Sequence, residues 1–262
     1  MITFTLDQWY GWIDTFLWPF ARLLAMIGVA PLFGETSAPP MTKVGLAAVL
    51  AVAISPSLPP MPAVAPGSLA GLWVLAQQIF IGIGVGFCMR VCFAAVQTAG
   101  DFIGLQMGLS LATIFDPTTQ ANTEVLARLF NILAMLVFLS VNGHLMMLAM
   151  LVKTFTILPI GTQTLNPEGW VMVAQLGSKV FSSGLLLALP LIAALLIIHL
   201  AMGMLNRAAP QLSVFAVGFP ITLIAGVVLL AVALPQSTGF LAALFQEGIE
   251  AMERMAGLLA GT

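Results

Sequence analysis

The side chains that could act as nucleophile, base or metal ligand are few: His144, His199, Cys88, Cys92 and a handful of carboxylates, Asp101 among them. General-base catalysis needs a hydroxyl or an orienting acid within reach of the histidine. Zinc needs about four nitrogen, sulfur or oxygen ligands. His144 follows Gly143, where a helix is expected to be interrupted, and His199 stands in a leucine-rich stretch. Neither has an acid–serine or ligand pattern nearby. Cys88 and Cys92 are four apart and share one helix face. A disulfide inside one helical turn is geometrically awkward, so they read as small buried hydrophobes. Gly82, Gly84 and Gly86 mimic a dinucleotide loop but lack its strand, its last spacing and its acidic ribose partner. No catalytic residue, cofactor site or metal site is assigned, and an enzyme is not expected. Ionisable groups inside apolar helices invite a functional reading, which leaves Asp101 and His199 as buried polar, proton-linked candidates.

The elements around these residues are unusually apolar. Of 262 residues, 60% are hydrophobic and 7% charged, with a mean hydropathy of +1.09. Soluble domains run at roughly 45–50% apolar and about 25% charged. So few charges cannot cover a water-facing surface, and the solvent must be largely lipid or other protein. The net charge is −2 and no basic cluster occurs. Nucleic acid is therefore excluded as a partner, because phosphate binding needs grouped Lys and Arg. The N-terminal residues lack the basic region and cleavage site of a secretory signal, so residues 1–30 are expected to remain in the mature protein.

Apolar runs follow one another with short punctuation. They cover about Thr15 to Phe33, Met41 to Leu58, Leu69 to Ala99, Val125 to Leu151, Val171 to Leu205 and Leu212 to Leu234. Trp9, Tyr10 and Trp12 precede the first, as suits a headgroup interface. The Pro-rich stretch Pro56 to Pro66 is a loop. With Pro190 inside it, the fifth run is expected to be a kinked long helix or two helices, and Pro220 predicts a kink in the sixth. A span takes about 20 apolar residues to cross ~30 Å of hydrocarbon, giving about five or six spans. Arg22, Arg90 and Lys179 interrupt the runs, and each would cost roughly 2.5–3.5 kcal/mol or more at a bilayer centre. Either they are paired within protein, or parts of these helices are not in lipid. The fold class is all-α, a polytopic membrane protein of kinked helical hairpins.

Residues Gly100 to Arg128 carry the most information. Gly100, Gly104 and Gly108 are spaced by four and form a helix-packing ridge that admits another backbone, as do Gly82 and Gly86. Asp116 before Pro117 is a helix start, with the carboxylate capping exposed amides and proline in the first turn. Glu124 and Arg128 then pair at i,i+4. One helix is thus expected to end near Gly108 and another to begin at Asp116. The loop between them is mostly apolar, with Leu109, Leu111, Ile114 and Phe115. Irregular backbone at membrane depth is tolerated only inside protein or around a water-filled cavity. Such a loop suits blocking a pore. The alternative is a plain connection at the membrane surface.

Two further features remain. Methionine is plentiful, at 15 residues; it fills cores and also adapts to varied partners. Leu241, Leu244, Phe245, Gly248, Met252, Met255 and Leu259 recur at helical steps, with Glu247, Glu250, Glu253 and Arg254 opposite. That is an amphipathic helix over about 240–260. It is mildly acidic, unlike most membrane-surface helices, so docking on a partner protein is expected.

Motifs spread along the chain resemble one family. They are Arg22 with Pro31-Leu-Phe-Gly34, then Lys43-Val-Gly-Leu-Ala47 and the prolines after it. Gly100-Asp-Phe-Ile-Gly-Leu-Gln-Met-Gly108 follows, with Ala112 through Asp116-Pro117. Asn142-Gly-His144 comes next, and Arg207-Ala-Ala-Pro-Gln211 leads to Val217-Gly-Phe-Pro220. In this order they resemble the R/T subunit family of bacterial type III export gates, flagellar and injectisome members alike. Leu145, Ser213 and Thr222 depart from the family's usual histidine, asparagine and lysine.

The resemblance implies a single export-gate domain over residues 1–262 and no enzymatic activity. It implies one copy of the chain assembled with several P and Q subunits into a helical channel complex. A B/U-type switch subunit, a large A/V-type export subunit, unfolded export substrates and membrane lipid are the other implied partners. The implied location is the bacterial inner membrane, within the flagellar basal body. Met107, Leu109, Leu111, Ile114, Phe115, Asp116 and Pro117 would form a non-helical channel plug over about 106–122. The implied function is passage of unfolded flagellar proteins across that membrane. The alternatives are the equivalent subunit of a virulence injectisome, or a secondary transporter built on broken helices.

Overall fold

Where a chain meets lipid, its amides must be satisfied within the chain, and a helix does this locally. The computed structural model describes residues 6–33, 39–59, 61, 64–109, 125–209 and 218–261, with the backbone alone for 6–14. Among the described residues the regular structure is helical throughout. In chain order the helices are α1 (Leu6–Val29), α2 (Pro40–Ile54), α3 (Leu69–Gln106), α4 (Val125–Ser140), α5 (Gly143–Ile157), α6 (Glu168–Ala208), α7 (Phe219–Gln236) and α8 (Thr238–Ala260).

Four described segments are long and apolar enough to cross a membrane: α2 with its following turn, α3, α6 and α7. Taken together as one broken span, α4 and α5 raise the number to five. The fourth apolar run is thus two helices. Asn142 takes a left-handed conformation at φ +56°, and its carbonyl accepts from the Leu145 and Met146 amides at 3.0 and 3.1 Å. Asparagine tolerates that conformation better than other non-glycine residues.

Pro190 lies inside α6, which runs unbroken for 41 residues. Pro220 stands at the start of α7 as described, two residues after Gly218, whose own backbone is helical at φ −66° and ψ −48°. The residues before Gly218 lie outside the described ones, and with them the course of the chain into the kink expected at Pro220.

The chain divides into two compact units. The first comprises Met1–Val91, Asn142–Leu176 and Gln246–Thr262, the second Cys92–Val141 and Gly177–Phe245. In the first, α2 packs against α1, and α1 lies along the early part of α3. A β-carbon at Gly82 would fall on the Arg22 carbonyl oxygen, and one at Gly86 would sit 2.9 Å from that of Met26. Bare glycines here let the two backbones touch, as small residues do between membrane helices. In the second unit, Phe93 of α3, Phe138 of α4 and Phe245 of α8 form a cluster with ring centroids 5.1–5.5 Å apart. Such pairs contribute about 0.5–1.5 kcal/mol each beyond the area they bury.

Burial separates the spans sharply. Of the most apolar window in each, 67% is buried in α3, against 22% in α6, 17% in α7 and 11% in the α2 segment. Apolar side chains such as Ile197, Leu200 and Met204 on α6 and Ile224, Val228 and Val232 on α7 face outward. Exposed apolar surface on this scale marks contact with membrane or protein.

The C-terminal stripe is used within the chain. Leu241, Leu244, Phe245, Met252, Met255 and Leu259 are all buried, while Glu247, Glu250, Glu253 and Arg254 are exposed. The expectation that this apolar face docks on a partner is corrected. Phe245 stacks on Phe93, and Leu259 covers Gly169.

Candidate functional site

The stems of the segment 110–124 can be built residue by residue, all within the second unit. Helix α3 ends by a defined stop. Gly108 adopts φ +80°, its N–H donates to the Leu105 carbonyl, and the Leu109 N–H donates to the Gly104 carbonyl, both at 3.1 Å. That paired pattern closes a helix through a left-handed glycine, a conformation costly for other residues. Gly108 therefore caps α3 and does not continue the packing ridge. Gly100 and Gly104 are buried on α3. A β-carbon on Gly100 would lie 2.6 Å from the Ala127 Cα. Since Phe93 meets Phe138 further back, α3 and α4 run antiparallel.

Met107 is the anchor of this stem. It is 2% exposed, and its side chain fills the space beside Gly226 of α7. Assigned by sequence to the plug, it is instead packed in the core, because Gly226 leaves a hollow that a flexible thioether can occupy. Leu109 is half-buried. Leu111, Ile114, Phe115, Asp116 and Pro117 lie outside the described residues, as does the helix start expected at Asp116. Beside the stem, Gln106 Nε2 and His199 Nδ1 are 3.2 Å apart, joining α3 to α6. His199 and Asp101 are exposed on this chain. Their expected burial is not found, since both sit on outward helix faces.

A second polar constellation lies in the first unit. Arg22 is completely buried. Its Nε and Nη2 donate to Gln78 Oε1 at 2.8 and 2.6 Å, Nη1 donates to Thr154 Oγ1 at 3.0 Å, and Nη2 also donates to the Leu158 carbonyl at 3.0 Å. The guanidinium carbon sits 4.1 Å from the centre of the Phe155 ring. Leu158 is the C-terminal cap of α5, where the helix dipole favours a cation. Effective desolvation costs several kcal/mol per ion. Bonds to a charged donor return about 1.5–3 kcal/mol each, and a desolvated cation over a ring about 2. The alternative posed by sequence resolves differently for each charge. Arg22 is satisfied inside the protein, while Arg90 and Lys179 stand on exposed faces.

Gln78 and Thr154 were not legible as functional residues. Their only signal is a polar side chain within an apolar run, and their partner lies on another helix. His144 Nδ1 and the Trp18 indole nitrogen are buried without a hydrogen-bond partner among the described residues. No group of three His, Cys, Asp or Glu among the described residues could hold a metal. Cys88 and Cys92 are buried, and the Cys92 thiol donates to the Leu244 carbonyl.

Residues 13–248 match the model of the family described as bacterial export proteins, family 1. The chain belongs to this family of bacterial export proteins. Among similar proteins, the flagellar biosynthetic protein FliR of Escherichia coli K12 is 49% identical over 94% of both chains. FliR of Pectobacterium carotovorum is 46% identical over the same shares. FliR of Bacillus subtilis is 29% identical over 93% of this chain and 95% of its own. In this family 1 export protein, the matched range includes Arg22, both stems of the segment 110–124 and the first 11 of the 23 residues of α8.

Proposed function

We propose that this family 1 export protein is a channel-forming subunit of the flagellar type III protein export gate, passing unfolded flagellar proteins across the bacterial inner membrane. The observation that carries this reading is the near full-length similarity to proteins named FliR. Those names favour the flagellar role over an injectisome subunit. The chain acts as one domain, without covalent chemistry and without a cofactor. Its work is to enclose a path and to close it.

The segment from about 106 to 122 is the closure. Its stems are held by Gly108, Met107 and the Gly100–Ala127 contact. Leu111, Ile114, Phe115, Asp116 and Pro117 are its plug residues, and the first three supply apolar bulk. The outward apolar faces of α6 and α7 are surfaces for P and Q subunits and for lipid. Exposed Arg90 and Lys179 suit faces that meet protein or water, since facing hydrocarbon would cost roughly 2.5–3.5 kcal/mol each. A B/U-type switch subunit and an A/V-type export subunit complete the assembly in the basal body.

The test is complementation of a strain deleted for its own copy, read as motility, together with ion leakage after replacement of residues 109–115 by glycine. Restored motility with the intact chain and leakage with the glycine variant are expected. A motile deletion strain, or unchanged conductance in a correctly assembled variant, refutes the corresponding part.

A further inference from the structure

The last turn of α3 carries a contact that apolar packing does not explain. Gln106 Nε2 and His199 Nδ1 lie 3.2 Å apart, joining α3 to α6 within the second unit. The amide donates to Nδ1 or, turned over, accepts from it, so the bond forms with either neutral tautomer of the imidazole. The surroundings give that bond its weight. Leu196, Ile197 and Leu200 of α6 and Leu105 of α3, the pair's neighbours along the chain, are all exposed. An outward apolar face of that kind meets lipid or another protein. An amide or imidazole without a partner there has no water to bond, and polar side chains tie membrane helices to one another.

Position decides what the bond acts on. Consecutive residues of a helix point about 100° apart, so Gln106 reaches α6 while Met107 packs beside Gly226 of α7. Gly108 ends the helix at the next residue, and Gly100 lies against Ala127 of α4. Gly100 and Met107 are buried, and their contacts open only by unpacking the helices. The Gln106–His199 bond differs in kind. Gln106 is half-buried and His199 exposed, so a change of rotamer parts them and leaves the core intact. Among these contacts it is the one suited to being made and released. We propose that the Gln106–His199 bond is a releasable latch on the end of α3, and that both are positioning residues for the closure that follows Gly108. This rests on the reading of residues 106–122 as that closure.

The experiment measures ion leakage through membranes bearing the full chain in its assembly, with the 109–115 glycine variant as the reference. His199→Leu and Gln106→Leu each keep bulk on an apolar face and remove the bond. Each should raise leakage about three- to tenfold, the shift in an open population on losing one interhelical hydrogen bond of this kind. The double variant should leak no more than either single. His199→Asn puts an amide atom where Nδ1 stands beside Cγ, and it should bring leakage back toward that of the unchanged chain, a rescue that lost packing would not show. Should His199→Leu fail to assemble, Gln106→Leu removes the same bond from the other side. Leucine variants as tight as the unchanged chain, beside a leaking glycine variant, overturn the latch and leave the closure standing. A glycine variant that is also tight removes the closure, and the latch with it. Additive leakage in the double variant, or no recovery with asparagine, overturns the latch too, since the two side chains then act separately.

Discussion

Arg22 and Gln78 meet through a single oxygen, with Oε1 of the amide accepting from Nε and Nη2 of the guanidinium at 2.8 and 2.6 Å. The pair links α1 to α3 at the level where Gly82 lets their backbones touch. It turns a charge that would be intolerable in an apolar helix into a fixed point of the packing.

Removing one member should therefore cost more than removing both. Gln78→Leu leaves the buried cation two bonds short, a loss of about 3–5 kcal/mol at bonds of about 1.5–3 kcal/mol each with partial relaxation. Arg22→Met leaves Gln78 Oε1 and the Leu158 carbonyl without this donor, while Thr154 keeps its bond to the Leu151 carbonyl, and is destabilising by a similar amount. Replacing a buried polar group together with its partner by apolar side chains is nearly neutral when shape is kept. The Arg22→Met/Gln78→Leu double variant is thus expected to lie well above the sum of the singles. Denaturant unfolding of the detergent-solubilised chain reads the coupling, and strictly additive losses would contradict it.

Two glycines offer a matched comparison. Gly100→Ala drives a β-carbon to 2.6 Å from the Ala127 Cα, a backbone atom that cannot swing aside, and should cost about 1–3 kcal/mol. At Gly177, inside α6, a β-carbon meets nothing within 4 Å. Alanine there should be neutral or stabilising by up to about 1 kcal/mol, the helix propensity difference. The thermal melt should fall for Gly100→Ala and hold or rise for Gly177→Ala; an unchanged melt for Gly100→Ala would show that the α3–α4 crossing is not tight.

Met107 and Gly226 should behave as a unit. Gly226→Leu needs the volume that the Met107 side chain occupies, and it should disrupt the stem. Met107→Ala vacates that volume, so combining the two should recover part of the lost stability, with a coupling of about 0.5–3 kcal/mol. Motility of complemented strains gives the functional reading. A double variant no better than Gly226→Leu alone would deny the contact.

Lys153 and Glu253 illustrate the opposite extreme. Their 2.6 Å ion pair joins α5 to α8 with both side chains 52% exposed. An exposed pair contributes about 0.2–1 kcal/mol and is screened by salt. Glu253→Gln should change the melting temperature little, and less still at high ionic strength. A large, salt-insensitive loss would mean the pair is shielded in the working assembly.

Much of the architecture was legible because membrane helices write themselves locally. Length, apolarity and the positions of glycine and proline marked the runs that became α2, α3, α6 and α7. The break at Asn142-Gly143 showed in the interruption before His144. Gly108 was legible as the end of α3, but its role as a cap was not, because a ridge glycine and a capping glycine look alike until φ is known.

What sequence alone determined is a helical membrane chain of the export family, whose third long helix stops near Gly108. Those properties rest on composition, periodicity and short motifs, and they survive without knowledge of any neighbour. Tertiary structure decided which helix faces are occupied. It showed that the C-terminal stripe is covered by the chain itself, that Met107 is anchored at Gly226, and that Arg22 rests on Gln78, Thr154 and Leu158. The Arg22 pairings alone join residues 56 to 136 positions apart, and the energy that selects such contacts arises only when the helices pack.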